Sequence, residues 1–272
     1  MSRTGFTDIR RFESIDSTNR YLLDEARRGA PEGVVAVAEY QSAGRGRLGR
    51  SWEAPAGANL LASVLIRPVL APGDLHLCTA AVALAAADAC EAVAGVVPGI
   101  KWPNDLMAGG HKLAGVLAES DPGAPGGPEG SVAVVVGIGV NVSWPGPREA
   151  DGTSLHLLGA AVEPALLLEG LLDALEPRRA SLDSADGRAA LTAELEERCE
   201  TLGRRVRVEL ATETIEGVAV GLNSRGHLVV ETDGERREVS AGDVVHVRPE
   251  PTPVAVRPVP RPKQGYNPRQ VG

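Results

Sequence analysis

Cysteine is scarce in this chain. Cys78, Cys90 and Cys199 are the only three, and they form no CxxC or other metal-ligand spacing. An odd count fits no disulfide framework, so a reducing, cytoplasmic setting is expected. Positive charge is also short. Lys and Arg total 28 against 36 Asp and Glu, a formal net charge of −8, which speaks against a general nucleic-acid binder. The opening MSRTGFTDIRRF lacks the apolar core of a signal peptide. Apolar runs such as Thr79–Ala89 fall short of the roughly 20 residues that a bilayer span needs, so no membrane association is expected. No internal repeat is visible. No GxGxxG opens a helix after a first strand, which argues against a Rossmann fold.

What is present is enough apolar material for a sizeable core: 43% of 272 residues, room for one large domain or one large and one small. The pattern predicts strands over Asp8–Glu13, Gly33–Tyr40 and Asn59–Ile66. It also predicts a long alanine-rich helix over Asp74–Ala94 and a strand end at Ile100–Trp102. Lys112–Glu119 reads as a further strand, paired through a hairpin spanning Pro103–Gly110. Ser131–Val142 reads as an apolar strand interrupted by Gly137 and Gly139, and glycine inside a strand often marks a close approach. A first helix starts near Asp16 or Ser17 and stops at Gly29. Two more helices are expected over Pro164–Leu175 and Gly187–Leu202. DPGAPGGPEG, at 121–130, reads as a mobile low-complexity loop. From Arg204 the texture changes to four or five short alternating strands. After Pro249 a proline-rich tail reads as disordered.

One stretch is chemically unusual. Gln41–Trp52, QSAGRGRLGRSW, alternates Gly44, Gly46 and Gly49 with Arg45, Arg47 and Arg50 between two strands. Glycine permits tight turns, and arginine offers a planar fork suited to phosphate or carboxylate. An anion cradle and a solvated basic loop both fit. Three other stretches lie at strand ends or helix starts, where α/β folds place ligands. They are Ser17-Thr18-Asn19, KWPNDLMAGGHK over Lys101–Lys112, and GIGVN over Gly137–Asn141. Together they offer cations for phosphate. Asp105 with Asn141 is a chemically sensible pair for Mg²⁺, which takes few carboxylates and substrate phosphates. A nucleotide-using enzyme follows. Trp52 is equally readable as core or site, Trp102 as core, His111 as structural or exposed, and Arg50 as surface.

STN at Ser17–Asn19, EYQSAGRGRLGRSW at Glu39–Trp52 and GANLLASVLI at Gly57–Ile66 together resemble the biotin protein ligase family. So do KWPNDL at Lys101–Leu106, HKLAGVLAE at His111–Glu119 and GIGVNV at Gly137–Val142, in family order and spacing. The resemblance implies an α/β fold: a mixed central β-sheet with helices on one side, followed by a small SH3-like β-barrel. The catalytic domain is expected over 1–200, the barrel over 201–249 and the tail over 250–272. It implies a two-step reaction with ATP, Mg²⁺ and biotin. Biotin is activated as biotinyl-5′-adenylate, then passed to a lysine of the biotin carboxyl carrier domain of acyl-CoA carboxylases. A lipoate–protein ligase and a non-catalytic biotin sensor are the alternatives. No room is expected for the DNA-binding domain of bifunctional members, so no DNA partner.

Residue by residue, the resemblance implies Ser17, Thr18, Asn19 and Gln41 at biotin, with Gly44, Gly46, Gly115 and Gly139 allowing close approach. Arg45 and Arg47 are implied at carboxylate and phosphates, and Lys112 as the catalytic cation bridging them. Trp52, Lys101, Asn104, Asp105 and Asn141 are implied near ATP, the last two also near Mg²⁺. Arginines crowded in one loop repel one another, so that loop is expected to stay open until an anion arrives.

Overall fold

The computed structural model describes residues 5–147, 150–210, 212–240 and 242–246. The expected tail lies outside them. Seven strands form the first sheet: β1 (Asp8–Phe12), β2 (Val34–Ala38), β3 (Leu60–Ile66), β4 (Gly99–Lys101), β5 (Asp105–Ala108), β6 (His111–Asp121) and β7 (Ala133–Val140). Their spatial order is β1-β2-β3-β7-β6-β5-β4. Only β1 and β2 run parallel, so the sheet is mixed as expected. The expected single hairpin over Pro103–Gly110 is two hairpins, with β5 between them. Gly109 and Gly110, at φ 60° and 82°, make the β5–β6 turn. Two consecutive left-handed residues suit a hairpin whose twist matches its strands, and this favours glycine.

Helix α1 (Thr18–Arg27) begins where Ser17, in extended conformation, accepts a bond from Arg20 N through its Oγ. Gly29, at φ 86°, follows its end. The other helices are α2 (His76–Ala94), α3 (Pro164–Ser181) and α4 (Ala185–Glu197). Helix α2 ends on left-handed Gly95, whose N–H returns to Glu91 O. Residues Pro72–Ala94 are long and apolar enough to cross a membrane by length and composition, longer than the sequence reading allowed. Yet 72% of the most apolar window is buried inside the protein. It is the core helix, packed on the sheet and on α3.

The helices do not all lie on one side. Val134, Val136, Ile138 and Val140 of β7 pack with α2 and α3, whereas Ala133 and Val135 pack with Leu22, Leu23 and Ala26 of α1. Alternation along a strand sends successive side chains to opposite faces, so α1 alone covers the second face. Its ten residues are too short to cover all of it. The loop at 121–130 is held rather than free. Fully buried Arg67 donates to Ala26 O and Ala30 O at the end of α1 and to Ala124 O in the loop, at 2.8–3.2 Å.

The second sheet is antiparallel, in order β11-β10-β9-β8-β12. Its strands are β8 (Arg205–Glu209), β9 (Thr214–Leu222), β10 (Leu228–Thr232), β11 (Glu235–Val239) and β12 (Asp243–His246). Trp102 inserts into the core of this unit, 2% exposed, and donates from Nε1 to Gly226 O. It is core, as expected, but core shared between the two sheets.

Candidate active site

Beyond the N-terminus of α1, the second face of the large sheet forms the floor of a cavity of about 540 Å³. Gly115 on β6 and Gly137 and Gly139 on β7 lie on this floor. They sit in register, Gly115 opposite Gly139 and Leu117 opposite Gly137. Here the absence of a side chain has a direct steric reason. A Cβ on Gly137 would stand 2.1 Å from Asn19 Oδ1, and one on Gly139 would stand 2.4 Å from the Trp52 ring. The glycines expected to admit biotin thus carry Trp52 directly above them. Its Nε1 is buried without a hydrogen-bond partner.

At one end of the cavity stand Ser17, Thr18 and Asn19. Thr18 N and Oγ1 both reach Gln41 Oε1, at 2.8 and 3.0 Å. Ser63, which sequence reading passed over inside an apolar strand, lies beneath them. Its Oγ is 2.7 Å from Thr18 Oγ1 and 2.6 Å from Asn19 Oδ1. The polar residue at an alternating position of β3 was the available signal.

The other end is cationic. Among the described lining residues, Arg45, Arg47, Arg50, Lys101 and Lys112 face Glu53, Asp105 and Asp151, a local positive excess in an acidic chain. Lys112 Nζ is 2.7 Å from Asp105 Oδ1 and lies 5.5 Å from the centre of the Trp52 ring. A β-bulge puts it there. Asp105 pairs with Gly115 and Leu106 with Ala114, but Met107 pairs with Lys112, leaving Leu113 as the extra residue. Leu113 and Ala114 consequently both enter the α2-side core. Strict alternation from Gly115 would have turned Lys112 away; one inserted residue brings it back to the cavity.

The Gly-Arg loop is folded. Gly46 N donates to Arg50 O and Trp52 N to Gly44 O. Each arginine has its own acceptor, which offsets the mutual repulsion. Arg45 pairs with Glu119 at 3.0 Å, and Arg50 with Asp243 at 3.3 Å. Arg47 donates to Asn104 Oδ1 at 3.0 Å and to Gly242 O at 3.1 Å, and burial lowers its affinity for protons. Those partners lie as many as 195 positions away in the chain, beyond the reach of local reading. Arg50 is exposed, as expected, at the rim of the cavity. Gly44 does not line the cavity. A Cβ there would meet Trp52 O at 2.3 Å, so it serves closure of the loop itself. His111 is exposed, with Nδ1 2.8 Å from Asp151.

All the other expected site residues line this one cavity: Ser17, Thr18, Asn19, Gln41, Arg45, Gly46, Arg47, Trp52, Lys101, Asn104, Asp105, Lys112, Gly115, Gly139 and Asn141. The expected metal pair fails a donor test. Asn141 Nδ2 reaches Lys112 O, Pro145 O and Thr153 O, and its Oδ1 accepts from Asn59 Nδ2. Its amide nitrogen is engaged in holding the cavity wall, and its oxygen is turned to Asn59 in a side chain that is 4% exposed. Asp105 is left as the single expected ligand, and no group of three or more His, Cys, Asp or Glu side chains suited to a metal occurs among the described residues. The site does not fit a protein-built Mg²⁺ centre. Pro145–Pro147 and Ala150–Gly152 complete the wall, a loop whose sequence carried no signal beyond its turn residues.

The family model described as Biotin/lipoate A/B protein ligase family matches residues 11–141, and that of the Biotin protein ligase C terminal domain matches 201–247. The chain is 42% identical over 244 residues to the biotin–[acetyl-CoA-carboxylase] ligase of Mycobacterium tuberculosis, covering 85% of this chain and 86% of that one. It is 34% identical to the protein of the same description from Paracoccus denitrificans, covering 84% and 96%. The solved biotin protein ligase of Aquifex aeolicus in complex with biotin and ATP superposes with a TM-score of 0.76 at 27% identity, covering 90% of this chain and all of that one. The chain belongs to the biotin protein ligase family.

Proposed function

We propose that this protein is an ATP-dependent ligase that activates biotin and transfers it to a lysine of the biotin carboxyl carrier domain of an acyl-CoA carboxylase. In the first step a biotin carboxylate oxygen bonds to the α-phosphorus of ATP and the bond to pyrophosphate breaks, giving biotinyl-5′-adenylate. In the second, the carrier amine attacks the acyl carbon and AMP leaves with the bonding pair. Both steps gather negative charge that fixed cations stabilise without reorganisation. The observation that carries the reading is the bulge that brings Lys112 into one cavity with Arg45 and Arg47. The relatives' names and the biotin and ATP of the solved neighbour support the substrates.

Within this reading Lys112 bridges carboxylate and α-phosphate, and Arg45 and Arg47 hold the phosphate oxygens. Ser17, Thr18 and Gln41 receive the ureido ring. Ser17 Oγ accepts from Arg20 N, which leaves its own proton for a carbonyl. Trp52 packs against the intermediate, with Lys101 and Asn104 beside the nucleotide. Mg²⁺ accompanies ATP through its phosphates, and no step is assigned to it. The chain divides into a catalytic domain over 1–200 and an SH3-like domain over 201–249, and works in the cytoplasm, where buried Cys78, Cys90 and Cys199 stay reduced. Purified protein with ATP, Mg²⁺ and biotin is expected to release pyrophosphate and label a carrier-domain lysine. Faster labelling with lipoate on its own carrier would overturn the assignment.

A further inference from the structure

Five side chains form an unbroken hydrogen-bonded path from the first end of the cavity to the Gly-Arg loop: Thr18, Ser63, Asn19, Glu119 and Arg45. Donor and acceptor chemistry fixes the direction of its central bonds. Asn19 Nδ2 reaches Leu117 O at 3.2 Å and Glu119 Oε2 at 2.9 Å, both pure acceptors. The amide therefore turns its oxygen to Ser63, and Ser63 must donate there. With its one proton committed, Ser63 Oγ can only accept from Thr18 Oγ1, 2.7 Å away. Gln41 Oε1 is then held by Thr18 N, and its 3.0 Å contact with Thr18 Oγ1 carries no proton. Thr18, Ser63 and Asn19 are 3%, 0% and 5% exposed, so water does not compete for these bonds. At the far end, Glu119 Oε2 takes Arg45 NH2 at 3.0 Å, on the same oxygen that Asn19 uses. Chains of this kind polarise one another, most strongly when they end on a charge.

We propose that Ser63, Asn19 and Glu119 are positioning residues that tie the orientation of Arg45 to the hydrogen bonding of Thr18. Ser63 and Glu119 stand outside the sequence-expected site. The path leaves Thr18 Oγ1 presenting only lone pairs to the cavity, an acceptor for a ligand N–H. A bond formed there strengthens the donation from Thr18 to Ser63 and, through Asn19, the hold on the carboxylate that aims Arg45. Glu119 thus sets where the Arg45 fork meets the ligand anion.

This rests on the ligase reading, and a double-mutant cycle tests it. The measured quantity is the off-rate of biotinyl-5′-adenylate, with thermal unfolding followed alongside. Glu119→Gln keeps an acceptor for Asn19 but removes the charge that Arg45 needs. We expect it to raise the off-rate about tenfold in the otherwise native protein and less than about twofold in an Arg45→Ala background. Ser63→Ala, which breaks the path at its centre, is expected to show the same dependence on Arg45. Equal increases in both backgrounds, or no increase in either, would overturn the proposal, because a role confined to local packing does not depend on Arg45. If Ser63→Ala does not fold, the Glu119→Gln cycle alone decides. A wild-type protein that forms no adenylate overturns the ligase reading and this inference with it. One that forms adenylate but gives additive effects overturns only the inference.

Discussion

The two faces of the large sheet share every strand and differ in every other residue. On the α2 side, Val134, Val136, Ile138 and Val140 meet two helices and disappear into the core. On the other side, Ala133 and Val135 pack under α1, and then Gly137 and Gly139 continue the same row beneath Trp52 and Asn19. One face holds the fold together by excluding water from side chains. The other, past the N-terminus of a short helix, omits side chains so that something else can approach. Stability and chemistry are therefore carried by alternate residues of one strand, and substitutions on the two faces should fail in different ways.

Lys112→Ala strikes the site face hardest. Adenylate formation is expected to fall roughly 10²–10³-fold, the scale for removing a charge-stabilising donor, with little change in unfolding temperature. Pyrophosphate release at the native rate would remove Lys112 from its assigned role. Ile138→Ala probes the core face: it should cost about 2–5 kcal/mol in urea unfolding while the turnover of protein still folded stays within about twofold. One position along, Gly139→Ala should reverse that pattern. Its Cβ displaces Trp52, so turnover should drop roughly tenfold to a hundredfold, as for a small misplacement of reacting groups, with under about 1 kcal/mol lost from stability. If Gly139→Ala unfolds the protein as Ile138→Ala does, the division of labour between faces is wrong.

The smallest expected effect lies at the junction of the two sheets and asks whether a half-buried polar group there acts as core. Trp102 N donates to Thr201 Oγ1, leaving that hydroxyl to donate to His246 Nε2 at 3.1 Å. Burial, with Lys101 and Arg204 adding repulsion, pushes the His246 imidazole down to about 4. The unfolded chain then binds a proton that the folded one refuses, so this contribution is complete above about pH 6.5 and declines as pH falls towards 4. Unfolding temperature should drop over that window, and less steeply in His246→Gln. An identical slope in the variant would show that the imidazole is not the titrating group.

Much of this was legible in advance because it is local. Ser17 capping, the Gly29 and Gly95 stops and the change of texture near Arg204 each depend on a few neighbouring residues. Family-specific strings then marked the cavity lining closely. The failures were non-local. Arg45, Arg47 and Arg50 seemed to repel one another because Glu119, Gly242 and Asp243 were not visible as their partners. Asn141 looked like a metal ligand because nothing in GIGVN reveals the carbonyls and the Asn59 amide that engage it. Gly44 looked like a ligand contact, when it closes its own loop.

The sequence by itself determined which segments become strands and helices, the glycine rows, the supply of cations and the family. These follow from periodicity, turn chemistry and side-chain type, properties that each residue carries wherever it goes. Only the tertiary structure decided which face each residue serves. One extra residue at Leu113 reverses the alternation of β6 and delivers Lys112 to Asp105 and the cavity. Strand register is set by pairing with β5 and β7 together, and no residue within β6 records which way that pairing will turn its neighbour.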